Sequence, residues 1–450
     1  MQRREFLLGL AAGAAGLAIR PRLGRAAALP NVLLVVSDDW GWPFYSFMRD
    51  AGIFPACEVD NFPVPRTPTL DRLVGEGICF PQAYVTSAKC QASRESIFSG
   101  RNRRDLENAE FETLPIPGRL GLPTIPVELA KYGYRTLGLG KWEVAEGGLF
   151  GSFTENGLYY RTSPGRLDSK SKIDKGNLEL VDRFLGERQS DGNRWFMMFA
   201  PTLPHAPYHH PKTAQYDYSD VSPQRQYCSP RMEPTNLNLR NYFGSCTWVD
   251  EMIRRIVYEK LPTYGFDSNT LVLYTTDNGA VLEKGKGAFR EAGLRTPIIA
   301  WLKNTIPPTG LNLGLVGSID LFPTILDFAG VDQGLWPTFP DAQSFRALAE
   351  DPTPANTAGY RSVFFSNRFT DGDRAARDAT YKLYTDKTGI DQRFFNLAND
   401  PFERDDLLQH PVLSTAEDDA RCALRNALNT WWCGGSPMPT HCPITPETCS

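Results

Sequence analysis

Four short apolar runs, each handing over at its carboxyl end to polar residues, constrain the fold of this chain more than any other feature. Val32 to Val36 is followed by Asp38 and Asp39, and the strand-like YRTLGLGKW ends at Lys141. Trp195 to Ala200 leads into a Pro-rich loop carrying His205, and Leu271 to Thr275 delivers Asp277 and Asn278. Runs this short, apolar at every position rather than at alternate ones, read as strands buried on both faces, as in a parallel sheet covered by helices. Open α/β sheets place their sites beyond the carboxyl ends of the strands, so the four polar sets are expected on one rim. Helical patterns separate the runs: Thr69 to Gly75 has apolar residues at Leu70, Leu73 and Val74, and Tyr242 to Tyr258 keeps a helical apolar spacing.

The alternation lapses from about Asp341 into the Pro- and Asp-rich DPTPANT. Strand-like SVFFSN, ATYKLYT and QRFFNLAND follow, which predicts an antiparallel sheet in a second, smaller domain. The expected layout is a leader over 1–28, a catalytic α/β domain over 29–340 built on a large, mixed, mostly parallel sheet sandwiched by helices, and a C-terminal α+β domain over 341–450 with a Cys-rich tail. At 450 residues and 41% hydrophobic content the chain can bury a sizeable core. Lys+Arg 48 against Asp+Glu 52 leaves a net charge of -4 with no long basic stretch, so nucleic acid is not an expected partner.

The first thirty residues carry a twin arginine (Arg3, Arg4) with Phe6 and Leu7, a mild apolar stretch to Ile19 and small residues Ala26 to Ala28. This is similar to a twin-arginine export signal cleaved near Ala28; Leu7 to Ile19 is too short and too rich in Gly and Ala for a stable membrane span. The expected location is periplasmic or secreted. In an exported chain cysteines are usually disulfide partners, and nine are present. Setting Cys90 aside leaves an even set available for pairing: Cys57, Cys79, Cys228, Cys246, Cys422, Cys433, Cys442 and Cys449. The last four crowd into a tail whose Gly and Pro residues argue against regular structure, which predicts a stapled C-terminal segment of open connectivity.

Cys90 stands in SAKCQASRESIFSGR, four residues before Arg94, at what reads as a helix N-terminus. One helical turn separates the two residues, so both face the same side, where unpaired N–H groups and the helix dipole favour an anion. Asp38, Asp39, Asp277 and Asn278 are hard oxygen donors that suit Ca2+, and less well Mg2+, although each pair alone is also an ordinary turn string.

The CQASR string resembles the C-x-[PA]-S-R signature of the formylglycine-dependent sulfatases of the alkaline phosphatase superfamily, and the likeness runs from Asn31 onward through VGSIDLFPTILDFAGV and FFNLANDPFERDDL. The resemblance implies that a maturation enzyme oxidises Cys90 to 3-oxoalanine (formylglycine), in the cytoplasm if export follows folding. It implies one metal ion held by Asp38, Asp39, Asp277, Asn278 and the modified Cys90. The hydrated aldehyde would attack sulfur and later expel sulfate, which a thiol could not do. Arg94 would orient residue 90 and the metal site. Lys141 in LGLGKWEV and Lys286 in GKGAFREAGLRTP match the family's two lysines, with Lys284 read as a solvated neighbour of Lys286. His205 in PHAP matches a histidine that contacts sulfate and helps protonate the leaving oxygen; His209 and His210 are read as loop or substrate-side residues. One position departs: the family reads G-K-x-H, whereas this chain has Glu143, whose carboxylate would have to serve as the base. Ala92 for Pro is a compatible variant. The implied function is hydrolysis of sulfate monoesters on a sulfated small molecule or glycan. The alternatives are a phosphoester or phosphonate hydrolase of the same superfamily, which Cys90 speaks against, and a weakly active sulfated-glycan-binding relative, which Glu143 favours.

Overall fold

The computed structural model describes residues 29–51, 64–107, 122–144, 153–159, 167–208, 218–219, 236–368 and 372–433. The strands are β1 (Asn31–Ser37), β2 (Ile78–Phe80), β3 (Ala83–Tyr84), β4 (Arg135–Lys141), β5 (Glu155–Tyr159), β6 (Trp195–Ala200), β7 (Thr270–Thr276), β8 (Ile298–Trp301), β9 (Gly310–Leu311), β10 (Val316–Gly317), β11 (Phe364–Asn367), β12 (Arg374–Arg377), β13 (Tyr381–Thr385) and β14 (Asp391–Asn396). The four apolar runs are β1, β4, β6 and β7. They lie side by side in an eight-stranded sheet of order β5-β4-β6-β1-β7-β8-β2-β9. Pairing is parallel from β5 to β7, and β8 runs antiparallel to both its neighbours.

Both faces of this sheet are buried, because successive side chains of β1 point to opposite sides. Leu33 and Val35 pack with Tyr242, Phe243, Val249 and Met252 of the helix Asn236–Arg254, while Val32, Leu34 and Val36 pack with Phe322, Ile325 and Leu326 of the helix Leu321–Phe328. Each such aliphatic or aromatic side chain, fully withdrawn from water, contributes about 1.5–3 kcal/mol. The helix predicted at Thr69 to Gly75 is Pro68–Glu76, with Leu70, Leu73 and Val74 buried. The Tyr242–Tyr258 pattern lies in Asn236–Arg254, which runs on into a π-helical stretch Arg255–Lys260.

The three predicted C-terminal strands are present as β11, β13 and β14, and the chain adds β12 between the first two to make a four-stranded antiparallel sheet. The strand β12 was not expected because its sequence, RAAR, carries none of the branched or aromatic signal. One face of this sheet is covered by the helix Thr415–Cys433 through Leu424, Leu428 and Trp431. The other docks on the large sheet's region through Tyr384 and Phe395, against Tyr84, Phe289 and Leu294.

The cysteine reading needs correction. Cys79 and Cys246 are free, buried thiols, one in β2 and one in the helix Asn236–Arg254, where they serve as small core residues rather than disulfide partners. Cys422 and Cys433 are disulfide-bonded, but both sit on a regular nineteen-residue helix, not in irregular tail. Cys57, Cys228, Cys442 and Cys449, the leader over 1–28, and His209 and His210 lie outside the described residues. Among the described residues no helix is long and apolar enough to cross a membrane.

Candidate active site

Strand register brings the polar sets together. Ser37 pairs with Thr276, so Asp38 and Asp39 emerge beside Asp277 and Asn278. On the other flank Val35 pairs with Phe199 and Gly140 with Ala200, which sets Lys141 and the His205 loop beside them. Gly140 is required at the end of β4: its φ is +90°, and an added Cβ would meet the Ala200 carbonyl oxygen at 2.0 Å. Asp39 also takes a positive φ of 61°, which Asp tolerates better than most residues. Its turn is clamped by its own N–H donating to Asp277 Oδ1 (3.1 Å) and by the Trp40 N–H donating to Thr276 Oγ1 (3.2 Å).

Cys90 is the first residue of the helix Cys90–Ser99, with Lys89 as N-cap, so residue 90 enters the rim at the positive end of the helix. Its Sγ lies 3.8 Å from Asp39 Oδ1. Burial, and then the neighbouring Asp277, pushes the thiol's pKa well above its ordinary value, which disfavours a thiolate there. One turn on, Arg94 is wholly buried; its Nε donates to Asp277 Oδ2 at 2.8 Å and its Nη1 to the Lys141 carbonyl at 2.7 Å. One guanidinium thus ties the helix to the ends of β7 and β4.

The lysines occupy the places expected of them. Lys141 Nζ lies 3.0 and 2.8 Å from the two oxygens of Asp38, and Lys286 Nζ lies 2.8 Å from Asp39 Oδ2. Lys284 is exposed, which separates the two lysines of the KGKG string. Burial works to neutralise Asp38, but Lys141, His205, Arg94 and Lys286 overcome it and hold the carboxyl well below the usual carboxylate range. Burial also works against charge on Lys141, and Asp38 overcomes it, holding the ammonium well above its ordinary pKa. Burial pushes the Asp277 carboxyl up to about 6, with Arg94 opposing. His205 Nε2 stands 3.6 Å from Asp39 Oδ2. Glu143 places Oε2 3.0 Å from Lys141 Nζ, and among the described residues no hydrogen bond joins it to Cys90.

Ligand atoms of Asp38, Asp39, Cys90 and His205 all lie within 4.8 Å of one another. Asp277 is not part of that tight group, its oxygens being taken by Arg94 and the Asp39 N–H. Asn278 donates through Nδ2 to Asp39 Oδ1 at 2.7 Å, which leaves its Oδ1 buried with no hydrogen-bond partner. A buried orphan acceptor beside two buried carboxylates fits a hard divalent cation. The charge balance agrees: Asp38, Asp39, Asp277 and Glu143 outnumber Arg94, Lys141 and Lys286 by one.

Tyr242 was not anticipated as a site residue. Its hydroxyl donates to the Asp39 carbonyl (3.2 Å) and accepts from the Gly41 N–H (3.1 Å), supporting the Asp39 turn from the neighbouring helix. In the sequence it is one more apolar position of a helical pattern, and no local signal marks it.

Comparison with known proteins agrees with this geometry. The sulfatase family model matches residues 30–331. N-acetylgalactosamine-6-sulfatase of Mus musculus is 28% identical over 340 residues, covering 67% of this chain; the chain spans less than two thirds, 63%, of that relative's length. Among solved structures, yidJ of Bacteroides fragilis superposes with a TM-score of 0.68 at 17% identity, covering 93% of this chain and 98% of that one. The phosphonate monoester hydrolase SpPMH of Silicibacter pomeroyi superposes with a TM-score of 0.61 at 21% identity, covering 83% and 92%. At those identities the structural likenesses establish the fold alone. With the family model spanning the whole large sheet and the rim built upon it, the chain belongs to the sulfatase family.

Proposed function

We propose that the protein hydrolyses sulfate monoesters of carbohydrate, with residue 90 as the nucleophile's position and a divalent cation, Ca2+ ahead of Mg2+, held by Asp38, Asp39, Asn278 and residue 90, with Asp277 behind them. The observation that carries this reading is the meeting of Cys90 with Asp38, Asp39 and His205 inside 4.8 Å at a helix N-terminus. Once oxidised to formylglycine and hydrated beside the cation, residue 90 would supply a hydroxyl that attacks sulfur and a second that allows sulfate to leave.

The remaining chemistry belongs to the chain's own side chains. Lys141 and Lys286 bring positive charge to the rim where the sulfate oxygens must sit, and they are held in place by Asp38 and Asp39. A divalent ion would turn the rim's one excess negative charge into one positive charge, matching the single negative charge of a sulfate monoester. His205, on the solvent side of Asp39, stands where a leaving sugar oxygen could take a proton. Glu143 acts through Lys141, sharing its ammonium with Asp38, rather than by contact with residue 90. Arg94 positions the helix against Asp277. A sulfated amino sugar is favoured by the name of the mouse relative. The twin arginine at Arg3 and Arg4 supports export to the periplasm or medium, after modification by a formylglycine-generating partner.

The test is peptide mass spectrometry of the Cys90 segment from protein made in its native host, with sulfate release from N-acetylgalactosamine 6-sulfate assayed on the same sample. An aldehyde-bearing peptide together with calcium-dependent sulfate release is expected. An unmodified thiol in protein that nonetheless releases sulfate would sink the role of residue 90. Failure to release sulfate from any ester by modified protein would sink the activity.

A further inference from the structure

A second group of cations lies on the same rim, away from residue 90. A cavity of about 490 Å³ is lined by Gln82, Arg295, Leu311, Leu313, Arg377 and Leu397 among others, and no carboxylate belongs to its described lining. Arg295 and Arg377 are both about 95% withdrawn from solvent. Buried guanidinium groups are ordinarily paired with carboxylates. Here neither makes an ion pair with a carboxylate among the described residues, and Glu291 acts on both only through space. Arg295 donates through Nε to the Pro81 carbonyl (2.8 Å) and lies over the Trp42 ring at 4.3 Å; its two Nη atoms have no hydrogen-bond partner among the described residues. Arg377 donates to the Asp378 carbonyl (2.7 Å), to Gln82 Oε1 (3.2 Å) and to the Tyr84 hydroxyl, and lies over the Tyr84 ring at 4.7 Å.

Two buried carboxylates lie close by and engage another cation directly, while Glu291 also feels the charge of Arg377 and Arg295. Glu291 and Glu403 share Lys382, whose Nζ is 2.8 Å from one and 3.2 Å from the other, and Tyr84 donates to Glu291 at 2.6 Å. Arg295, Arg377 and Lys382 outnumber Glu291 and Glu403 by one, so the pocket keeps one net positive charge, carried on two guanidinium groups, beside a wall of leucines. Trp42, which carries Arg295, is three residues after Asp39, a span of at most about 11 Å of chain. Position on the rim and proximity to Asp39 place the pocket within reach of a substrate larger than one sugar.

We propose that this pocket binds an oxyanion, sulfate or carboxylate, through Arg295 and Arg377, and that its apolar wall selects an oxyanion carried on a sugar chain over a free ion. The identity of the carrier rests on the sulfated-carbohydrate reading; the oxyanion chemistry does not.

Leu313 lies in the pocket wall and is 59% exposed, so a charge can be installed there without disturbing the core. The experiment is calorimetric titration of the full chain carrying Cys90→Ala, alone and combined with Leu313→Asp or Leu313→Lys, using a chondroitin 6-sulfate tetrasaccharide and inorganic sulfate as probes. Leu313→Asp is expected to weaken tetrasaccharide binding by about three- to fivefold and Leu313→Lys to strengthen it by a similar factor, both effects shrinking with added salt. An equal response of inorganic sulfate would assign the pocket to free oxyanions, keeping the oxyanion site and overturning the selection for a sugar-borne one. Tetrasaccharide binding that ignores both Leu313 changes, or no binding of either probe, overturns the site. Sulfate release by the unsubstituted chain is scored separately, so a charge-sensitive pocket in a protein that releases no sulfate would refute the proposed function and leave this inference standing.

Discussion

Arg94→Met tests whether the rim is held together by one buried ion pair. The arginine and Asp277 are both fully buried, with Nε and Oδ2 2.8 Å apart, and Nη1 bonds the Lys141 carbonyl at 2.7 Å. Methionine keeps much of the volume but leaves Asp277 as a buried carboxylate with the Asp39 N–H at 3.1 Å as its hydrogen bond among the described residues and Lys141 acting only through space. Removing one partner of a buried pair costs about 3–5 kcal/mol, because the remaining charge keeps its desolvation penalty and loses its attraction. Loss of the bond to Lys141 adds about 1 kcal/mol. Arg94→Lys retains the charge but cannot make both bonds in the fork geometry of a guanidinium, so about 1–2 kcal/mol is expected. Urea unfolding of parent and variants, in the presence of a chelator so that metal binding does not enter, measures these differences. An Arg94→Met loss under about 1 kcal/mol, or a loss equal to that of Arg94→Lys, would refute the claim that the pair carries the rim.

Three further outcomes follow from the same structure. Asp250 accepts from the Thr69 and Leu70 N–H groups at the start of the helix Pro68–Glu76 (3.1 and 2.8 Å), and burial pushes its carboxyl from 3.8 up to about 7 despite those bonds. A raised folded-state pKa means that ionisation costs the fold. Stability from the neutral acid is therefore full below about pH 4 and lost as pH rises to about 7, by up to about 4 kcal/mol. Asp250→Asn should erase that slope when unfolding is compared at pH 5 and pH 8, and a parallel pH dependence in parent and variant contradicts the reasoning. Gly140→Ala should lower stability by about 3 kcal/mol or more and reduce turnover, since the Ala200 carbonyl occupies the Cβ position and Lys141 is the next residue; a melting temperature within a degree of the parent's would count against it. Chelation followed by Ca2+ at one hundred times its Kd should raise stability by about 2.7 kcal/mol, read by thermal unfolding, and identical midpoints with and without calcium would exclude the cation site.

The glutamate at 143 shows how a motif position can keep its place and change its partner. A histidine there would be read as a base for residue 90. The structure instead directs the carboxylate at Lys141. That shift could not be read from spacing, because Glu143 has a φ of 45° that turns the chain just past β4. Lys286 is the opposite case: two lysines two residues apart were nearly equivalent in sequence, and the turn after Ala280 sends one to Asp39 and the other to solvent. Cysteine parity set Cys90 apart from the disulfide candidates, yet Cys79 and Cys246 were wrongly counted with them, since burial in a strand and in a helix is invisible to a count.

By itself the sequence determined the elements and the chemistry they carry. Apolar runs of strand length must be buried on both faces, a cysteine four residues before an arginine must share a helix face with it, and polar residues after each run must stand at a strand's end. These are local consequences of side-chain periodicity and hydrogen bonding. Only the tertiary structure decided what those ends face. The strand order put β1 between β6 and β7, which joined Asp38 and Asp39 to Asp277 and Asn278, more than two hundred residues away. The same packing recruited Tyr242 to the Asp39 turn and left Arg295 and Arg377 buried with no ion pair among the described residues. Contacts between distant segments depend on which strands are neighbours and in what register, and no local pattern encodes that.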